Sequence, residues 1–134
     1  MSDPLAGTWY SGIGSQLDLQ VNGSQVSGTF TRKGTQGKVI GSVDPDPTRP
    51  NRALSFSVAW VQDVTPPQNF VSVTSYTGQY HKGEKPRPDV INAVFLLVDE
   101  TSAQRQFAST FVGYDNFFRQ KPTPEQIEQR KLLG

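Results

Sequence analysis

The sequence predicts an all-β domain of eight short antiparallel strands, arranged either as an up-and-down barrel or as a sandwich. Three observations favour this class. Apolar and polar residues alternate with period two, as in SQLDLQV, where Leu17, Leu19 and Val21 share one face. Glycine (12 residues) and proline (10 residues) are frequent, as short strands with many turns require. Turn-forming stretches such as DPDPTRPN at 44–51 separate the alternating runs.

The predicted strands follow one another along most of the chain. They are GTWY from Gly7, then SQLDLQV, QVSGTF, KVIGSV, ALSFSVAWV, SVTSYTGQY, DVINAVFLLV and FASTFVGYDNFF. Between the second and third strands, Asn22-Gly23 predicts a type I′ hairpin turn, because this pair readily supplies two positive φ angles. Residues 31–37, TRKGTQG, are predicted to form a polar loop.

The last residues have the pattern of a helix start. Thr123 is the expected N-cap, Pro124 suits the first helical position, and Gln126 can complete a capping box. The pattern predicts a short C-terminal helical turn. We expect one domain over residues 1–134, with the barrel at about 5–120 and the tail at 121–134.

Composition excludes several classes of function. The 134 residues carry a net charge of +1, which gives no electrostatic case for nucleic acid or an acidic membrane surface. There are no cysteines and a single histidine, so neither a disulfide framework nor a metal site is expected. No apolar run reaches membrane-spanning length. The first residues, MSDPLAGTWY, lack the features of a secretory signal, which predicts a cytoplasmic location.

The residues also give little support to an enzyme. His81 lies in YHKGEKPRP, which is typical of a solvated loop, and no G-x-S-x-G motif is present. Four carboxylates lie in turn-like segments, where acidic residues are common: Asp44, Asp46, Asp99 and Glu100. We therefore expect no catalytic residues and no cofactor.

One strand carries an unusual set of hydroxyl groups. In SVTSYTGQY, Ser72, Thr74 and Tyr76 share a face, since side chains alternate along a strand. If this face points inward, the hydroxyls need partners. Trp9, Trp60 and Tyr76 either fill a core or line a cavity in which Ser15, Ser72 and Thr74 orient a ligand.

Asp115 allows two interpretations. It shares a strand face with Phe107 and Phe111, and a carboxylate inside a barrel would need hydrogen-bond partners or a ligand. Alternatively, YDN ends the strand with an Asx turn. The residues alone leave both open.

Six segments together resemble the avidin and streptavidin family. They are LAGTWYSGIGS, GTF, FSVAW, SVTSYTGQY, INAVFLLV and STFVGYDNF, in the order and spacing of that family. The resemblance runs from about Leu5 to Pro122, and the start and tail look most like fungal members. It implies an eight-stranded antiparallel barrel that holds biotin at its open end, and a homotetramer or dimer.

The resemblance also implies roles for individual residues. Ser15 matches the serine that donates to the ureido oxygen of biotin, and Asp115 matches the aspartate that accepts from a ureido N–H. Thr74 matches the threonine near the ring sulfur, and Ser72 a serine near the biotin carboxylate. The other matching positions, on the pocket wall, are Trp60 and Tyr76.

Several positions depart from the family pattern. Ser11 stands where an asparagine contacts the ureido oxygen, and Phe30 stands where a tyrosine supplies a hydroxyl. Phe95 replaces a pocket tryptophan. Phe107 replaces the tryptophan that a neighbouring subunit lends as a lid. The loop at 31–38 is shorter than is usual in the family. The serine by which family members contact the ureido group from this loop therefore has no secure counterpart here.

These observations predict a non-enzymatic biotin-binding protein of reduced affinity, with a possible role in sequestering biotin for defence. The alternative is an avidin-fold lectin or other small-ligand binder that has lost biotin, with Tyr114, Phe117 and Phe118 as its aromatic surface. A third is a structural oligomer with a filled barrel. DVINAVFLLV is apolar on both faces, which predicts self-association, as a homotetramer or alternatively a dimer. No nucleic-acid or membrane partner is expected.

Overall fold

The chain forms a closed barrel in the computed structural model, which describes residues 3–61, 71–99 and 110–133. Eight antiparallel strands pair in chain order, and β8 closes onto β1. The eight-stranded up-and-down barrel is therefore confirmed, and the sandwich is excluded. The strands are β1 (Gly7–Ser11), β2 (Gln16–Asn22), β3 (Gln25–Arg32), β4 (Thr35–Val43), β5 (Asn51–Val61), β6 (Val71–His81), β7 (Val90–Asp99) and β8 (Thr110–Phe118). Residues 107–109, predicted to begin the last strand, lie outside the described residues.

The capping box predicted at the tail is confirmed. The backbone N–H of Gln126 donates to Oγ1 of Thr123 at 3.2 Å, and the backbone N–H of Thr123 donates to Oε1 of Gln126 at 2.9 Å. The helix that follows, α1 (Pro124–Leu133), has 10 residues and so extends well beyond a single turn. Within the ranges described, no helix is long and apolar enough to cross a membrane.

Two of the predicted turns are corrected. Asn22 pairs with Gln25, so the two central residues of the first hairpin are Gly23 and Ser24. Only Gly23 has a positive φ, 61°, which is the type II′ pattern and not type I′. Asn22 therefore ends β2 and contributes no turn angle.

The predicted loop at 31–37 is also wrong. Arg32 pairs with Thr35, so only Lys33 and Gly34 lie between β3 and β4. Their φ angles are 48° and 80°, and two positive angles define a type I′ turn. The strands consequently continue through most of the segment, and Arg32 and Lys33 lie at the end of the hairpin.

Inward-facing side chains fill one half of the barrel. On β5, Leu54, Phe56 and Val58 point inward and are buried, and on β6 Thr74 and Tyr76 do the same. The face of β6 that carries the hydroxyl groups thus points into the barrel, which is the orientation considered for this strand in the sequence analysis. Trp9 is fully buried in the core.

The N-terminal segment seals one end of the barrel. Nε1 of Trp9 donates to the carbonyl oxygen of Leu5 at 2.8 Å, and the Arg119 guanidinium stands 3.8 Å from the centre of the Trp9 ring. The buried Arg52 side chain donates to both carboxylate oxygens of Asp3, at 2.5 and 2.8 Å. This closed end leaves the opposite end, at the β3–β4 hairpin, as the mouth.

The outer face of β7 and β8, together with Val73 of β6, carries an apolar patch. Register places Val94 beside Tyr114 and Leu96 beside Val112, and Val73 lies opposite Val98. The side chains of Val94, Val112 and Tyr114 are 55%, 72% and 76% exposed in the single chain. We call these six residues the outer apolar face.

Candidate functional site

A cavity of about 1030 Å³ opens at the mouth of the barrel. It reaches the upper end of the range for small-ligand pockets, about 300–1,000 Å³. Most of its wall consists of inward-facing residues of β3 to β8, since every second side chain of a strand points to the barrel axis. Residues of the β1–β2 turn, the β3–β4 hairpin and the C-terminal helix complete it. The lower core, with Trp9 and Phe117, forms no part of this wall.

The structure brings together eight of the ten candidate site residues around this cavity. They are Ser15, Phe30, Trp60, Ser72, Thr74, Tyr76, Phe95 and Asp115. Residues far apart in sequence meet here because the β1–β2 turn and strands β3, β5, β6, β7 and β8 each contribute to the same open end. Of the other two, Ser11 lies elsewhere and Phe107 falls outside the described residues.

Ser11 has a local partner. Its hydroxyl oxygen accepts a hydrogen bond from the backbone N–H of Ser15 at 3.0 Å, and its side chain is buried. The backbone N–H of Ser11 also donates to the carbonyl oxygen of Ser15 at 2.9 Å. Ser11 therefore holds the β1–β2 turn in shape and positions Ser15, which lines the cavity.

Aromatic rings form one continuous wall. Phe30 lies edge-on to Trp60 with 5.4 Å between ring centroids, and stacks on Tyr76 at 5.9 Å. Tyr76 in turn lies 5.6 Å from Phe95. Such a wall offers flat apolar surface to a compact ring-shaped ligand. Tyr76 and Trp60 thus line a cavity, whereas Trp9 fills the core.

Two polar groups interrupt this wall. Nε1 of Trp60 donates to Oγ1 of Thr74 at 3.0 Å, so the indole and the hydroxyl fix one another. Burial and the nearby Asp115 carboxylate raise the pKa of Tyr76 well above its ordinary value, which keeps the phenol protonated. The hydroxyl of Tyr76 is therefore a neutral group at the cavity.

Asp115 is the one carboxylate in the wall among the described residues. Burial raises its pKa to about 6, while a backbone hydrogen bond from Asn116 and the charges of Arg130 and Arg32 oppose that rise. The Asx-turn interpretation of Asp115 is wrong, because β8 continues through this residue to Phe118. Its side chain lines the cavity, and its Oδ1 accepts a hydrogen bond from the backbone N–H of Asn116 at 3.0 Å. A carboxylate in this position can accept hydrogen bonds from a ligand.

Four basic residues border the cavity near its mouth, and none was among the candidate site residues. Arg32 and Lys33 come from the β3–β4 hairpin, and Arg130 and Lys131 come from α1. The capping box predicts the helix, but no pattern in the sequence indicates which surface the helix will pack against. Gly12 and Gly14 in the β1–β2 turn are a weak signal, because they leave room for a close neighbour.

Other side chains considered for a function lie away from the cavity. Nδ1 of His81 is 2.7 Å from Oδ1 of Asn51, at the closed end of the barrel. Phe117, one of the three aromatics considered for sugar stacking, is fully buried and has no free ring face. Over the described ranges, no cluster of three or more metal-ligating side chains occurs.

Fold and site together define a β-barrel protein with an aromatic cavity of a size that suits a small molecule, whose described lining contains a few hydroxyls and one carboxylate. The family model described as the Avidin family matches residues 2–120. The chain belongs to the avidin family, whose members are non-enzymatic binding proteins. The family suggested by the six sequence segments is thereby confirmed.

Proposed function

We propose that this protein binds biotin in the barrel cavity and catalyses no reaction. The observation that carries the proposal is the meeting of Ser15 and Asp115 in one aromatic cavity. A cyclic urea has one carbonyl oxygen that accepts hydrogen bonds and two N–H groups that donate them. The hydroxyl of Ser15 can donate to that oxygen, and the carboxylate of Asp115 can accept from an N–H.

The remaining wall suits the rest of the ligand. The rings of Phe30, Trp60 and Tyr76 offer apolar surface to the fused ring system. The hydroxyl of Thr74 already accepts from Trp60, so its own proton is free to point at a weak acceptor such as a thioether sulfur. Ser72 lines the same cavity and is available to the carboxylate end of biotin. Sequestering biotin would need only this binding.

We further propose that the affinity is lower than is usual in the family. The resemblance implies three donors on the ureido oxygen, of which Ser15 alone has a clear counterpart. Phe30 has no hydroxyl, and the Ser11 side chain lies off the cavity with its oxygen engaged by the Ser15 backbone. Each missing buried donor costs about 1–3 kcal/mol. Two such losses correspond to roughly one to four decades in the dissociation constant.

Isothermal titration with biotin tests the proposal directly. We expect saturable binding with one site per chain, weakened in Ser15→Ala and unchanged in Ser75→Ala, whose side chain faces outward on β6. A glycan array on the same sample tests the lectin alternative. Absence of heat and of any thermal shift with millimolar biotin would contradict the proposal.

We also propose that the protein is a homo-oligomer, with a tetramer favoured. The outer apolar face is a contiguous patch on three adjacent strands, and a second copy of the chain could remove it from water. Multi-angle light scattering should give about four times the chain mass of 14.8 kDa. Leu96→Lys should lower that mass, while Gln20→Lys, on an exposed position of β2, should not. A monomer at micromolar concentration would contradict the proposal.

The lid role of Phe107 remains a prediction. If a neighbouring subunit lends this ring to the cavity, Phe107→Ala should weaken biotin binding without lowering the free energy of unfolding. An unchanged dissociation constant in an oligomeric variant would count against the lid.

A further inference from the structure

The C-terminal helix rests on the rim of the barrel. A Cβ atom added at Gly14 would lie 3.1 Å from Cδ1 of Ile127, and one added at Gly12 would lie 3.3 Å from Nε of Arg130. Ile127 and Arg130 are three residues apart and so share one face of α1. The helix therefore contacts the β1–β2 turn through this face, and its last turn reaches the cavity.

The β3–β4 hairpin, the next connection around this end of the barrel, also brings cations to the cavity. The type I′ turn ends the hairpin immediately after Arg32, so Arg32 and Lys33 are fixed near the opening. Together with Arg130 and Lys131 they give four cations in the described lining of the cavity. The only acidic side chain in that lining is Asp115, and the chain as a whole carries a net charge of just +1.

The four cations are not equivalent. Nζ of Lys131 lies 3.7 Å from Oε1 of Glu128, one turn back on the helix, which offsets part of its charge. Arg130 and Arg32 both act on Asp115, since their charges favour its ionised form, and Arg32 acts likewise on Tyr76. Both arginines line the cavity and lie close enough to Asp115 to affect its charge.

Basic residues in the last turn of a helix also have a general explanation, because they interact favourably with the helix dipole. That explanation would hold wherever the helix packed. It does not explain why the helix packs against Gly12 and Gly14. Nor does it explain why a hairpin remote in sequence contributes a second pair of cations to the same cavity.

We propose that Arg130 and Arg32 make the cavity select ligands that end in a free carboxylate over the corresponding neutral amides. The inference rests on the proposed binding of biotin and adds a specificity to it. A ligand whose ring system occupies the aromatic wall extends its side chain toward the opening, which Arg32 and Arg130 help to line. A carboxylate there gains charge–charge attraction, and an amide does not.

Titrations of biotin and of biotin amide, at the same pH and about 50 mM salt, measure this selectivity. We expect biotin to bind more tightly, with a ratio of dissociation constants that shrinks as salt screens the charges. Arg130→Gln and Arg32→Gln should each weaken biotin about three- to fivefold, as for partly exposed ion pairs, and should weaken biotin amide less. Lys82→Gln removes the same charge from an exposed position at the closed end and should change neither ligand.

The outcomes separate this inference from the proposed function. Equal affinity for the two ligands in the wild type, or equal weakening of both by Arg130→Gln, would overturn the selectivity while leaving biotin binding intact. If neither ligand binds, the proposed function fails and the selectivity fails with it. Thermal unfolding of each variant excludes loss of the fold as the cause.

Discussion

The indole N–H of Trp60 donates to the hydroxyl of Thr74 at 3.0 Å, linking β5 and β6 inside the cavity wall. One residue is a candidate contact for the ligand sulfur and the other a candidate wall residue, so the two roles depend on each other. Removing the hydroxyl affects the free protein as well as any complex.

Thr74→Val keeps the side-chain shape and removes this acceptor. We expect the free energy of unfolding to fall by about 1 kcal/mol, because the indole N–H loses its partner in a partly buried position. Biotin binding should weaken less than in Asp115→Ala, since sulfur is a weak hydrogen-bond acceptor. Urea denaturation and titration calorimetry measure the two effects. Thr77→Val, on the exposed face of the same strand, serves as the control.

Asp115→Ala should weaken biotin binding by about 1–3 kcal/mol, because a ligand N–H would lose its acceptor inside the cavity. Titration calorimetry at pH 7 gives the change. Asn116→Ala alters the neighbouring residue of β8, which does not line this cavity, and should leave the dissociation constant nearly unchanged. Wild-type affinity in Asp115→Ala would show that the carboxylate is no ligand contact.

Biotin binding should depend on pH through Asp115. In the free protein its pKa is about 6, and a ligand N–H favours the ionised form. Binding of the ligand therefore lowers the pKa of Asp115. Below pH 6, the carboxyl group must release its proton when the ligand binds. We expect affinity at pH 5 to be about tenfold lower than at pH 7. Biotin amide is the ligand to use, because it has no carboxyl group of its own to titrate, and Asp115→Asn should give a flat profile.

The same group affects the stability of the free protein in the opposite sense. Its folded pKa, about 6, lies above the ordinary value of 3.8. The folded state consequently binds more protons between these values, and the contribution to stability falls as pH rises from about 4 to 6. Asp115→Asn should thus stabilise the protein at pH 7 and have little effect at pH 4, as measured by urea denaturation.

Phe30→Tyr should tighten biotin binding by about 1 kcal/mol, which is somewhat less than tenfold, by supplying a donor at the cavity wall. Phe30 is nearly fully buried, yet it belongs to the cavity lining. Phe117→Tyr is the matched control, since Phe117 is buried beneath the cavity and a hydroxyl there should only destabilise the barrel. Unchanged or weaker binding in Phe30→Tyr would contradict the donor argument.

Asp3→Ala should lower the free energy of unfolding by about 3–5 kcal/mol, because Arg52 would keep a buried charge without its partner. The hydrogen bond from Arg52 lowers the pKa of Asp3. The stabilisation is therefore present above the unfolded pKa and is lost as pH falls through the lower, folded pKa. Denaturation curves at pH 7 measure the loss, and Asp46→Ala, at an exposed ion pair, should cost less than about 1 kcal/mol.

Local patterns proved sufficient for some elements. The capping box of Thr123 and Gln126 needs only residues three apart, and the alternation of β5 and β6 needs only the strand period. The hairpin after β2 shows where local reasoning stops. Both Asn22-Gly23 and Gly23-Ser24 offer a residue tolerant of positive φ, and the choice follows from register along the whole strand pair, which sets Val21 opposite Val26.

The residues of the candidate site also fall into two groups: those that the sequence could place and those that it could not. Ser15, Thr74 and Asp115 could be placed from strand parity together with the family resemblance. Arg130 could not, because its contribution depends on where α1 packs, and that is decided by contacts with a turn more than a hundred residues earlier. Ser11 also could not be placed, because its partner is a backbone N–H that only the folded turn brings near.

The two ends of the chain leave the barrel at opposite poles. Asp3 is held by Arg52 at the sealed end, whereas α1 borders the opening. A purification tag or fluorescent fusion placed ahead of Asp3 would stand clear of the ligand, and one placed after α1 would start beside the entrance and crowd it. Barrels tethered to a sensor surface through the segment before Asp3 would present their openings to the solution. Tethering through the other end would turn the openings toward the surface.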